Sequence, residues 1–234
     1  MTLSGNLANG VFNVSAGVTL ALTNLTIANG TSASGAGVNN AGTLTVTNCT
    51  FSGNLADSQG GVVVGIFNTG TATVTNSTFF GNAAEFGGGI YTDSSLALTV
   101  TNSTFSDNTS SAVGRNAGNG GAIDNNGLTF VINSTFSGNH AAVGGGAIEN
   151  ESAGEVEIFN ATSGATARSP AAASRTTPQT SGDQMAPCCS TARFWKVKHR
   201  AGTAQALSAT TVTTSRTMAR ANWAAPASLN WTTV

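Results

Sequence analysis

Two acids in this chain stand where a repeat would bring them together. Asp124 follows Gly120-Gly121-Ala122-Ile123, and Glu149 follows Gly144-Gly145-Gly146-Ala147-Ile148, so each closes the same motif in a different copy. If the copies stack as neighbouring strands, the two carboxyls come within roughly 5 Å. At that distance one carboxyl raises the pKa of the other, and the pair can share a cation or act as an acid–base couple. Glu151, Glu155 and Glu157 lie just downstream. With Glu149 they offer the oxygen donors that calcium takes, although no spaced calcium-repeat motif is present. The plain alternative is a pair of solvated strand ends beside Asn125 and Asn150. Proton abstraction beside such a cation would also need a basic residue, and only Arg115 and His140 are at hand in residues 1–162. Arg115 sits in a Gly/Asn/Ser-rich loop and reads as solvated, while His140 follows a repeat asparagine and reads as a turn residue. Phe67 and Tyr91 are candidates for an outer face that stacks on a sugar. No cofactor is expected.

The elements that must position these groups repeat along the chain. The heptapeptides NCTFSGN (48–54), NSTFFGN (76–82), NSTFSDN (102–108) and NSTFSGN (133–139) alternate with glycine clusters. From Asn24 the leading asparagines fall at 24, 48, 76, 102, 133 and 160, with spacings of 24, 28, 26, 31 and 27. Each unit holds an apolar segment after the glycines, at Val62, Ile90, Ile123 and Ile148, and then an alternating Thr/Val strand. Alternation at period two marks a strand with one buried face. The N-x-T-F-x-x-N segment supplies a third short strand.

Three short strands per unit with loops of variable length describe an all-β parallel β-helix of about six coils. Such a rod is on the order of 30 Å long at the spacing of stacked strands. Phe51, Phe79, Phe105 and Phe136 are expected to stack inside it. Asn48, Asn76, Asn102 and Asn133 are expected to form a side-chain ladder along the turns. Cys49 replaces the Ser of the motif and reads as a small stacked residue.

The residues N-[SC]-T-F-x-x-N and G-G-A-I resemble the paired FxxN and GGAI repeats of polymorphic outer-membrane proteins. More broadly they are similar to right-handed parallel β-helix proteins of the pectate-lyase-like type. The resemblance covers residues 1–162 and implies a right-handed helix. Leu3-Ser4-Gly5-Asn6 matches the second half of an FxxN unit, so the helix is expected to start in mid-coil, as a fragment. An open first edge invites end-to-end association of an otherwise monomeric rod.

After Thr162 the repeat stops. Residues 1–162 hold 26 of the 29 glycines and one basic residue against nine acids; residues 163–234 hold eight basic residues against one acid. A basic tail ordinarily suggests nucleic acid or a membrane surface. A lost reading frame explains it better. Codons for residues 163–178, re-read one base earlier, can spell F-x-G-N followed by a G-G-G triplet, in phase with the copy at Phe136. The 163–234 segment is then expected to be disordered or ill-packed, and nucleic acid is not an expected partner. No stretch of about 18 apolar residues occurs, so no membrane span is expected. The N-terminus lacks a charged leader and an apolar core, so no signal peptide is expected in this chain.

These features point to a non-catalytic, repetitive cell-surface or secreted protein that serves in presentation, adhesion or glycan contact. The alternatives are a fragment of a carbohydrate-active β-helix enzyme using Asp124 and Glu149, or a non-functional frameshifted product. Sequencing the gene across codons 160–170 is expected to restore F-x-G-N and a glycine triplet in the neighbouring frame. A neighbouring frame without that triplet ends the frameshift reading.

Overall fold

Each coil closes on an asparagine in a conformation that few residues adopt. Asn24, Asn48, Asn76, Asn102, Asn133 and Asn160 all have φ between 48° and 57°. Asparagine tolerates this left-handed region better than any residue except glycine. The structure is a computed structural model that describes residues 1–56, 65–93, 96–111, 118–151, 153–164, 167–168, 190–192 and 195–198, the last three stretches as backbone only.

Four parallel sheets run the length of the rod. Sheet 1 holds the motif strands Thr26–Ala28, Thr50–Ser52, Thr78–Phe80, Thr104–Ser106, Thr135–Ser137 and Ala161–Ser163, with Thr2–Ser4 at one end. Sheet 2 is built of two-residue strands: Thr31–Ser32, Leu55–Ala56, Ala83–Ala84, Thr109–Ser110, His140–Ala141 and Ala167–Arg168. Sheet 3 holds Phe12–Val14, Val38–Asn40, Ile66–Asn68, Ile90–Thr92, Ile123–Asn125 and Ile148–Asn150. Sheet 4 holds Thr19–Thr23, Thr43–Thr47, Thr71–Thr75, Ala97–Thr101, Leu128–Ile132 and Glu155–Phe159. Six copies of each give six coils. The chain therefore makes four strands per coil where the pattern predicts three, because two residues are too few to show periodicity. In the third coil the sheet 3 strand begins at Ile66, after Gly65. Gly60-Gly61-Val62 lies outside the described residues, as does Arg115.

Phe51, Phe79, Phe105 and Phe136 are fully buried and stack one above another, with ring centroids 4.7, 4.7 and 5.0 Å apart and planes within 8° of parallel. Sheet register brings them together residue for residue. Leu3 and then Ile27 precede the rings in the column, and Ser163 ends it. Around it pack Leu44, Val46, Val74, Leu98, Val100 and Val131 from sheet 4, and Val38, Ile66, Ile90 and Ile123 from sheet 3. The turn asparagine sets the sheet 4 register. Counting back from it, the second and fourth residues face inward in every coil, so Thr129 points into the core and Leu128 outward. Thr129 is accommodated because its hydroxyl donates to Asn125 Oδ1 at 2.7 Å.

The side-chain ladder does not run where the pattern places it. Asn48, Asn76, Asn102 and Asn133 are exposed, and the hydrogen bond that each makes along the stack is through its backbone N–H. The ladder belongs to the other end of the motif, at the buried Asn54, Asn82, Asn108 and Asn139. The Oδ1 of Asn82, Asn108 and Asn139 each accepts two bonds from the preceding coil, from the backbone N–H and the side-chain amide of its counterpart, at 2.8–3.2 Å, and Asn54 Oδ1 accepts one, from the Gly30 N–H at 3.0 Å. Each Nδ2 of Asn82, Asn108 and Asn139 also reaches a phenylalanine carbonyl, Phe51, Phe79 or Phe105 respectively. A second column, Cys49, Ser77, Ser103 and Ser134, links coils through backbone N–H donation to the next serine Oγ. A left-handed turn residue points its side chain at solvent, whereas the residue three past the Phe turns inward.

Beyond residue 164, Ser190–Ala192 pairs antiparallel with Ala161–Ser163, and Trp195–Lys198 pairs antiparallel with Glu155–Phe159. The rest of the expectation for the tail lies outside the described residues.

Asn108→Ala is expected to cost roughly 3–5 kcal/mol, because it leaves buried N–H and C=O groups of two neighbouring coils unpaired. Asn102→Ala is expected to cost about 1 kcal/mol, the backbone strain of alanine at positive φ. Chemical denaturation of both variants checks the order, and equal losses would refute the inward ladder.

Candidate functional site

Along sheet 3 the middle residue of each strand faces outward. Strand register aligns Asn13, Asn39, Phe67, Tyr91, Asp124 and Glu149 in one row. The row changes from amides to aromatics to acids along the rod axis. Phe67 and Tyr91 stack with centroids 5.7 Å apart and planes 8° from parallel, and both are half-buried. Phe86, from the turn before the glycines of the same coil as Tyr91, packs edge-on against Tyr91 at 6.3 Å.

Asp124 and Glu149 are register partners, as their shared motif position predicts. Their surroundings differ sharply. Asp124 is 0% exposed, and neither carboxylate oxygen has a hydrogen-bond partner. The turn that precedes its strand packs against it. Gly120, at φ +57°, crosses so close that a Cβ there would fall 2.6 Å from Asp124 Cα and Cβ. Phe86 and Asn119 bridge across the same place. Burial holds the Asp124 carboxyl well above the usual carboxylate range, with Glu151 and then Glu149 adding to the shift. Burial thus favours the protonated form of Asp124 over the charged one.

Glu149 is half-buried and accepts a hydrogen bond from the Gly145 N–H at 2.5 Å through Oε2. Glu151 accepts one from Asn119 Nδ2 at 2.7 Å. Tyr91 feels the same negative field: half-burial pushes its hydroxyl up to about 12, helped by Asp93, Asp124 and Glu151. No lysine or arginine stands among the described residues of the six coils before residue 164, so no described guanidinium or ammonium offsets this field.

The remaining expected site residues fall elsewhere. Glu155 and Glu157 lie on sheet 4, their backbones opposite Lys198 and Lys196 of the antiparallel strand. The four glutamates considered for a cation thus divide between two faces of the rod. Among the described residues no three of His, Cys, Asp and Glu come together as a metal site requires. His140 lies on sheet 2, paired with Thr109 and Ala167. Cys49 is buried, with its Sγ against the Thr47 carbonyl. What sequence reasoning missed is the contribution of Phe86 and Asn119, which belong to irregular turns whose path no periodicity reveals.

A family profile described as a right-handed beta helix region matches residues 1–163. No curated protein and no solved structure matches the chain.

Because burial raises the Asp124 pKa above its unfolded value, its stability contribution is complete below about pH 4, the free aspartate value, and falls as pH rises toward its folded pKa. Asp124→Asn is expected to leave the melting temperature at pH 3 unchanged and to raise it at pH 8. A difference that does not vary with pH would overturn this account.

Proposed function

Because the chain belongs to the right-handed β-helix family across residues 1–163, we propose that it is a non-catalytic, surface-displayed or secreted rod that contacts glycans along the outer row of sheet 3. The observation that carries this reading is the outward pair Phe67–Tyr91, stacked in register and flanked by the amides Asn13 and Asn39 on one side and acids on the other. Aromatic faces take up the C–H faces of sugar rings, while amides and carboxyls hydrogen-bond their hydroxyls. A rod whose backbone bonds lie along its own axis holds such a row rigid, so little ordering is needed on binding. No helix among the described residues is long and apolar enough to cross a membrane.

A second reading, a carbohydrate-active enzyme, draws on the raised pKa of Asp124 beside Glu149, an arrangement suited to a general acid and its partner. The complete burial of Asp124 speaks for a structural role instead, since a general acid must reach the glycosidic oxygen within hydrogen-bond distance.

A change of reading frame after Thr162 belongs to the same proposal. Ser163 stands fully buried at the position that Phe136 holds one coil earlier. Reading one base earlier allows phenylalanine there, and the aromatic column would continue.

Affinity electrophoresis against neutral and acidic polysaccharides, with parallel assays for reducing ends and unsaturated products, tests the function. Retardation without turnover is expected, and Tyr91→Ala is expected to weaken it about tenfold, near 1.4 kcal/mol. Product release that disappears in Asp124→Asn would favour the enzyme instead.

A further inference from the structure

The outer face of sheet 4 is a two-dimensional lattice of threonine. In Thr19–Thr23, Thr43–Thr47, Thr71–Thr75 and Ala97–Thr101, the outward positions are 19, 21, 23, 43, 45, 47, 71, 73, 75, 97, 99 and 101. Ten of these twelve are threonine, and the other two are Ala21 and Ala97. Register aligns them in straight columns, Thr43 beside Thr71, Thr45 beside Thr73 and Thr99, Thr47 beside Thr75 and Thr101. The columns repeat about every 4.8 Å across strands and about every 6.7 Å along them, as parallel sheet geometry dictates.

Threonine is a good strand residue, and an isolated exposed one needs no explanation. Three features set this face apart. None of the twelve positions is charged, although open sheet faces ordinarily carry charge for solubility. None of the ten hydroxyls has a hydrogen-bond partner among the described residues, which leaves their donors and acceptors to solvent or a ligand. Each hydroxyl sits beside a methyl group on a β-branched carbon with a stiff χ1, which fixes the pattern before anything binds. The array stops where Leu128, Phe130 and Ile132 replace threonine, and the next strand brings Glu155 and Glu157 outward.

We propose that this face binds the surface of ice. A rigid, uncharged grid of alternating hydroxyl and methyl groups with two fixed repeats complements ordered water, which is itself uncharged and periodic in two directions at similar spacings. Charge complementarity excludes the other common partners. A nucleic acid or an anionic membrane needs cations, and a basic protein needs acids, and these four strands supply neither. Hydroxyls order the first water layer in register while methyls exclude disorder between them, and many weak contacts act together because the lattice is held rigid. This site lies on a different sheet from the Phe67–Tyr91 row, so it stands or falls independently of the glycan reading.

The test uses the full chain in an ice-recrystallisation assay, with thermal hysteresis measured on a single crystal. The wild type is expected to hold ice grains small and to shape a single crystal. Thr73→Lys, at the centre of the grid, is expected to lose at least tenfold in activity, with Thr45→Lys as a second central variant. Thr135→Lys, exposed on sheet 1, is expected to keep it. Circular dichroism establishes that each variant retains the β signal, so that loss of activity reports the face. No ice shaping by folded wild type, equal activity in Thr73→Lys and Thr45→Lys, or binding to crystalline cellulose or chitin without any effect on ice would each overturn the proposal.

Discussion

The structure depends on one bond pattern: a buried asparagine whose Oδ1 takes both the backbone and the side-chain N–H of its counterpart in the coil before. Wherever a β-helix turns between sheets, backbone groups leave the strand ladders and must find other partners inside a dry interior. Asn54, Asn82, Asn108 and Asn139 satisfy those groups coil after coil. Because Asn54, Asn82 and Asn108 each bond forward and backward, the coils cannot shift past one another without breaking several buried bonds at once. That locks the register, and register in turn places every other side chain.

The phenylalanine column follows from that lock. Rings separated by one strand spacing can only lie nearly parallel, as Phe51, Phe79, Phe105 and Phe136 do. The same geometry shows how the rod separates its tasks. Inward residues are nearly invariant in kind from coil to coil, so the outward ones are free to differ from sheet to sheet. Sheet 3 uses that freedom for an aromatic and acidic row, and the first four strands of sheet 4 for a charge-free threonine face. Asp124 shows the limit of that freedom. Its position is outward by register, yet it is fully buried, and that burial raises its pKa well above the usual carboxylate range.

Much of this was legible from residue order, for a physical reason. A strand's faces alternate with period two, and a solenoid repeats its whole environment once per coil. Copies such as NSTFSGN and NSTFSDN therefore announce both the parallel stack and the aromatic column. The pairing of Asp124 with Glu149 was also readable, because both close a glycine–Ala–Ile motif. The ladder was misplaced because both motif ends are asparagine, and composition does not tell a left-handed turn from an inward-facing amide. The phase of the Leu128 strand is not legible in residue order for a related reason. Hydrophobicity favours Leu128 inward, but the turn at Asn133 fixes the count, and a bond from Thr129 to Asn125 makes the polar choice tolerable.

The sequence by itself thus determined the parallel β-helix, the extent of its repeats and the identity of its core column, since all three are consequences of local periodicity. Only the tertiary structure decided which asparagines form the ladder, that Asp124 is sealed from water, and that the threonines of sheet 4 form a grid. Those depend on how one coil lies over the next, a relation between residues some two dozen or more positions apart that alternation along a single strand does not encode.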